Sequence, residues 1–236
     1  MKKKLIILTG PTAVGKTDLS IRLARTVGGE IISADSMQVY RRMDIGTAKI
    51  RPEEMDGVRH HLIDILEPTE SFNAFLFKEY ALKAANEIWE RGSIPIIVGG
   101  TGFYIQTLLY DIEFAKSDEN DGIRDELNKL YEEHGAAFLH DMLAKADPEY
   151  AAEVHENNVK KVIRAIEFYR QTGHKLSEHN TEQRERTSPY NFEYFVLSDD
   201  RAVLYERIDK RIDKMVEAGL IAEVQALLDE GVGRAG

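Results

Sequence analysis

"LTGPTAVGKT", residues 8–17, follows directly on the apolar run Leu5-Ile6-Ile7-Leu8. It fits the pattern G-x-x-x-x-G-K-[ST], a loop that holds the phosphates of a ligand. The run predicts a strand over about residues 4–9 that delivers the chain to Gly10, and a helix opens near Gly15. Glycines let backbone N–H groups turn toward an anion at a helix N-terminus, where the macrodipole also favours negative charge. Between the glycines lie Pro11, Thr12, Ala13 and Val14. Lys16 adds a point charge, and the Thr17 hydroxyl suits Mg²⁺ held beside the phosphates. Leu19, Ile21, Leu23, Ala24 and Val27 then supply an apolar helix face. Strand, loop and helix come in the order a phosphate or pyrophosphate site needs, yet nothing in the loop says which group is transferred.

Working outward, further apolar runs predict strands at Glu30–Ala34, His61–Ile65, Ile94–Val98 and Glu193–Leu197. A helical pattern over Ala74 to Arg91 offers Phe75, Leu76, Leu82, Ile88 and Trp89 for packing. Strands alternating with helices predict an α/β fold of the P-loop NTPase-like kind, a parallel sheet flanked by helices. Ligands of such sheets bind beyond the C-terminal strand ends. Asp35 and the run Gly99-Gly100-Thr101 should therefore share an edge with the phosphate loop. From 113 to 190 the sequence turns polar, with helical patterns near 122–134, 136–146 and 158–171 and no convincing core strand. The expected organisation is a core domain of 1–112 plus 191–236 and a mainly helical insertion of 113–190. In "NNVKKVIRAIEFYRQTGHK", Val159, Val162, Ile163 and Ile166 fall at helical core spacing. Lys160 and Arg164 share one flank at i, i+4, with Lys161 nearby, although charge pattern alone favours an ordinary solvated face.

Composition excludes several classes. Of the 236 residues 43% are apolar, enough for a sizeable core, and the absence of cysteine rules out disulfides and thiolate metal sites. No apolar stretch approaches the length of a membrane span. The basic N-terminus leads into a core strand, so it does not read as a signal peptide, and a cytoplasmic location is expected. A formal net charge of −10 argues against nonspecific coating of nucleic acid but leaves room for a local basic face.

Taken together, "GPTAVGKT", "ISADSMQVYRRMDIGTAK", "VGGTGFYI", "NVKKVIRAIEFY" and "YERIDKRIDKMVEAGLIAEV" resemble, in this order, the tRNA dimethylallyltransferases (tRNA isopentenyltransferases). The resemblance runs over nearly the whole chain, and its second and third stretches are far more specific than the phosphate loop. It implies transfer of a five-carbon dimethylallyl group from dimethylallyl diphosphate to N6 of the adenosine just 3′ of the anticodon of a tRNA. The loop, Gly10 to Thr17, would then bind the leaving diphosphate, with Mg²⁺ at Thr17. On the residues alone, Asp35 fits a general base, a cap for the segment Ser36, Met37, Gln38, or a metal-binding carboxylate about equally; the resemblance favours the base. It also implies catalytic roles for Lys16 and for Thr101, the latter touching the target nucleotide and leaving group. Arg211, in the stripe Arg207, Arg211, Lys214, becomes a second diphosphate contact, while Leu204, Ile208, Ile212 and Met215 are expected to pack inward.

By the same resemblance, Asp35, Ser36, Met37, Gln38 and Thr101 line the entrance for the anticodon stem-loop. Arg124 and the segment Lys160, Lys161, Val162, Ile163, Arg164 grip the tRNA. The protein is expected to act as a monomer. Members of that family continue beyond "LLDEGVGRAG", with a portion that helps close around the tRNA. Two alternatives stay open: a small-molecule kinase built on the same loop, and an isopentenyltransferase acting on free AMP. A noncatalytic nucleic-acid-binding module would leave the phosphate loop without a purpose.

Overall fold

The computed structural model describes residues 2–112 and 122–233. It divides into two compact units, Met1–Asp111 with Ser188–Gly236, and Ile112–Thr187. The first nine residues of the expected insertion, 113–121, lie outside the described residues.

The first unit is built on β1 (Lys4–Thr9), followed by the phosphate loop and α1 (Lys16–Val27), then β2 (Gly29–Ser33) and β3 (His60–His61). Helix α2 (Ala74–Glu90), β4 (Ile94–Gly99) and α3 (Gly102–Leu109) complete its N-terminal part. The five-stranded sheet has the order β3-β2-β4-β1-β5, where β5 is Asn191–Val196, and every pairing is parallel. Consecutive residues such as Ile31 and Ile32, or Ile96 and Ile97, are buried, because helices cover both faces of these inner strands. Beyond β5 the chain forms α8 (Arg201–Glu217) and α9 (Leu220–Asp229), numbered after four helices of the second unit.

Three details differ from the sequence expectation. The third strand stops at His61 instead of running to Ile65, because Leu62 and Asp64 take positive φ values of 62° and 55°. Residues 64–66 donate instead to the carbonyls of Gln38 and Val39 and so brace the segment after β2. Helix α2 buries the stripe Phe77, Ala81, Ala84, Ala85 and Ile88, while Phe75 is 46% exposed. In α8, Leu204 packs inward as expected, but Ile212 is 48% exposed and Arg211 is partly buried.

The C-terminal ends of β2 and β4 meet at Gly99. A Cβ there would lie 2.2 Å from the Ala34 carbonyl oxygen and 2.5 Å from its carbon. Only glycine lets the Ala34 N–H reach the Val98 carbonyl at 2.8 Å in this crossing, which sets Asp35 beside Gly100-Thr101. Gly99→Ala should therefore lower unfolding stability by about 1–3 kcal/mol, the range for overpacking a tight site. A urea midpoint equal to that of the native chain would show that the Ala34 backbone yields.

The second unit contains α4 (Ile123–Ala146), α5 (Pro148–Glu153), α6 (Val159–Thr172) and α7 (Leu176–Glu185). Gly135, at φ 81° and ψ 179°, breaks α4 into two helical runs, matching the patterns seen on either side of residue 135. Its core gathers Leu127, Leu139, Leu143, Val162, Ile163, Ala165 and Ile166. Helices α5 and α7 have weak apolar periodicity and were not legible; a buried aspartate organises them. Asp147 accepts from Tyr150 N–H at 3.1 Å, capping α5, and from Ser177 N–H and Oγ at 2.8 and 2.7 Å, tying in α7. Burial raises its carboxyl, but these hydrogen bonds to Ser177 and Tyr150 outweigh it and hold the group below the ordinary carboxylate range.

Candidate active site

The site begins with the turn out of β1. Gly10 passes so close to the chain after β5 that a Cβ would stand 2.5 Å from the Leu197 carbonyl oxygen. Ala13 (φ 65°) and Gly15 (φ 93°) take left-handed conformations that coil the loop back on itself. Gly15 is the N-cap of α1 and offers no side-chain cap, so an anion can serve the first N–H groups of the helix. Lys16 Nζ donates to the carbonyls of Gly10 (2.8 Å) and Pro11 (2.7 Å), which places its charge across the loop mouth. Pro11, Thr12 and Thr17 are exposed, with Ala13 and Val14 partly so.

Two further charges face Lys16. Burial and the neighbouring Arg211 cation hold the Lys16 ammonium below its ordinary value, and Asp35 offsets part of this. The fold thus brings Asp35 and Arg211, from two other elements, within electrostatic reach of Lys16. Arg211 arrives because α8 runs alongside the loop. One turn earlier, Arg207 pairs with Asp199 at 2.9 Å and points an N–H at the Ala13 carbonyl.

Asp35 ends the extension of β2. Its Oδ1 accepts from the N–H groups of Met37 (2.8 Å) and Gln38 (3.2 Å), so it does cap the turn it opens. Capping uses one oxygen; among the described residues no hydrogen bond reaches Oδ2. Base and cap are therefore compatible, and one carboxylate can do both. Gln38 is fixed in turn: its Nε2 donates to Thr47 O at 3.1 Å, and Ser33 Oγ donates to its Oε1 at 3.3 Å. Ser36 is partly buried and Met37 is 43% exposed.

Thr101 is the N-cap residue of α3, yet its hydroxyl makes no capping bond. Thr101 thus ends a tight strand-to-helix turn, and its hydroxyl remains for a ligand. Three residues on, Tyr104 is buried against Phe77, with ring centroids 4.8 Å apart. Its phenol is pushed up by burial, and by the nearby Tyr40 and Asp35. The sequence reading passed over Tyr104 and Tyr40; their only signal was position, one turn past Thr101 and five residues past Asp35.

In the second unit Lys160, Lys161 and Arg164 are exposed on α6. The side chains of Val162 and Ile163 are buried in the helical core, at 0% and 6% exposure, so they are closed to a ligand. Arg124 is committed to a bidentate pair with the buried Glu167, Nε to Oε1 at 3.1 Å.

Fold and site together define a P-loop-type α/β protein in which a carboxylate and a second cation face the phosphate cradle. The chain belongs to the IPP transferase family, whose profile matches residues 38–235. The tRNA dimethylallyltransferase of Lachnoclostridium phytofermentans is 57% identical over 230 residues, covering 98% of this chain and 74% of that protein. The crystal structure of the full-length tRNA isopentenylpyrophosphate transferase from Bacillus halodurans is similar at a TM-score of 0.69 and 47% identity, over 99% of this chain and 72% of that one. Crystallographic snapshots of a eukaryotic dimethylallyltransferase acting on tRNA superpose with a TM-score of 0.88 at 36% identity, over 97% of this chain and 56% of that one. Among the described residues, no helix is long and apolar enough to cross a membrane.

Proposed function

We propose that this chain is a tRNA prenyltransferase that moves a dimethylallyl group from dimethylallyl diphosphate to N6 of the adenosine 3′ of the anticodon. The observation that carries the reading is the placement of Asp35, with one oxygen tied to its own turn, within electrostatic reach of Lys16 in the loop, which also has Arg211 as a neighbour. An exocyclic adenine amine is a weak nucleophile, and an allylic diphosphate departs when its growing charge is met by cations and N–H groups. In the step, the bond from N6 to C1 of the dimethylallyl group forms as the C1–O bond breaks. The electron pair leaves with the diphosphate into the loop, and the amine proton passes to Asp35. Thr101, beside both, supplies a hydroxyl for the nucleotide or the leaving group.

Mg²⁺ is part of the proposal. Among the described residues no group of three or more His, Asp or Glu side chains could hold a metal ion. The neutral, exposed Thr17 hydroxyl at the first turn of α1 fits a cation carried mainly by diphosphate oxygens and water, as Mg²⁺ usually is. When bound, such an ion would neutralise charge on the leaving group. The reaction takes place in the cytoplasm, with the protein acting as a monomer.

The test is transfer of labelled dimethylallyl to a tRNA anticodon stem-loop with Mg²⁺ and no ATP, run beside AMP as acceptor. Labelled stem-loop and unlabelled AMP are expected. A requirement for ATP, or a phosphorylated product, would overturn the reading in favour of a kinase, and labelled AMP would move it to a mononucleotide acceptor.

The exposed flank of α6 is the proposed grip on tRNA backbone. Lys160→Glu with Arg164→Glu should weaken tRNA binding and reduce the salt slope of log K by about 1–2, since fewer counterions are released. Thermal stability should stay close to that of the native chain, because both side chains lie off the buried stripe. An unchanged slope, measured by titration at several salt concentrations, would return this flank to the role of a solvated face.

A further inference from the structure

We infer that Glu223, on α9, is a positioning residue for the catalytic turn at Asp35. Its carboxylate accepts three consecutive backbone N–H groups from the loop after that turn. Oε2 takes Asp44 at 2.9 Å and Ile45 at 2.7 Å, and Oε1 takes Gly46 at 2.9 Å. Charged acceptors with several backbone donors make strong, directional bonds. The loop is shaped for this partner: a Cβ on Gly46 would stand 3.1 Å from Leu220 Cδ1 and 3.5 Å from Glu223 Oε1. A few residues away, Arg42 joins the same helix through Glu230 and is also paired with Glu67 at 2.7 Å.

The grip is passed on toward the site. The residues just after Gly46 present the Thr47 carbonyl to Gln38 Nε2 at 3.1 Å, with the Ala48 carbonyl at 3.4 Å. The Gln38 N–H is in turn one of the two donors that fix Asp35 Oδ1. Glu223, the 44–48 loop, Gln38 and Asp35 are thus linked within the first unit by hydrogen bonds joined through short stretches of backbone and the Gln38 side chain. Helix α9 sets the direction of the carboxylate without touching substrate. An acidic residue in the first turn of a helix also suits the macrodipole, but that role asks for no particular partner, whereas here three donors converge.

The inference rests on the prenyl-transfer reading for its catalytic readout. Glu223→Ala should slow single-turnover transfer to the stem-loop by roughly 10–100-fold, the scale of a small misplacement of reacting groups. Its Kd for pyrophosphate should match that of the native protein, because the cradle of Gly10 to Thr17 is not part of the chain. Amide exchange at residues 44–48 should quicken. A double-mutant cycle with Gln38→Ala should be non-additive, since the second change acts on a path already broken. Additive rate losses, or a Glu223→Ala variant with native single-turnover rates, would overturn the inference. If the native chain itself transfers no prenyl group, the function reading fails; unchanged exchange at 44–48 in the variant would then still refute the latch.

Discussion

Asp35→Asn is expected to lower single-turnover prenyl transfer by roughly 10²–10⁴-fold, the range for loss of a positioned general base. The substitution is sharp because it preserves the cap. An Asn Oδ1 can still accept from the N–H groups of Met37 and Gln38, so the turn should keep its shape. What disappears is the second oxygen as a proton acceptor. Binding of tRNA and of diphosphate should change little by comparison, and the thermal midpoint should hold. A variant with a near-native single-turnover rate would remove Asp35 from the chemistry and leave it as a cap alone.

Lys16→Ala is expected to reduce transfer by roughly 10²–10³-fold, because charge-assisted bonds to the departing diphosphate strengthen as the allylic bond breaks. Stability should move the other way or not at all. Lys16 is a desolvated cation facing Arg211, and its lowered proton affinity is the mark of an unfavourable charge. The sign is definite: a lysine with a depressed pKa in the fold carries its penalty at neutral pH, and the penalty fades as pH rises through the unfolded value. Removing the ammonium should therefore keep or raise the melting temperature at pH 7. A fall beyond about 4 °C, the shift of roughly 1 kcal/mol in a domain of this size, would mean that its bonds to Gly10 and Pro11 hold the loop together.

The loop at residues 10–17 was legible because its function and its local geometry need the same glycines and the same following helix. The sheet was legible for a related reason: strands covered on both faces are written as unbroken apolar runs. His61–Ile65 looked like such a run, but its apolar residues pack through turns at Leu62 and Asp64, and a pattern of hydrophobicity carries no φ values. Phase was the weaker signal in the helices. In α8 the apolar residues at 204, 208, 212 and 215 suggested one face, whereas Leu204 is buried, Ile208 and Met215 are partly buried, and Ile212 is exposed. The role of Glu223 had no local trace at all: its donors lie some 180 residues earlier, and backbone N–H groups look alike in every sequence.

The pairing of β1 bears on how the molecule forms. Lys4 sits opposite Asn191 and Ile6 opposite Ile96, so the strand carrying the phosphate loop finds its two neighbours at widely different times during synthesis. The partner at Ile94–Gly99 emerges early; the one at Asn191–Val196 appears only after the whole helical unit has left the ribosome. Loop closure over that span is slow, whereas the helical unit relies on contacts close in sequence. The nascent chain therefore passes through an interval in which one edge of β1 is unpaired and open to wrong partners. Gly10 meets Leu197 only when that edge closes. The last strand to dock is thus also the one that gives the phosphate loop its final shape, and competence to bind diphosphate should appear late, together with it.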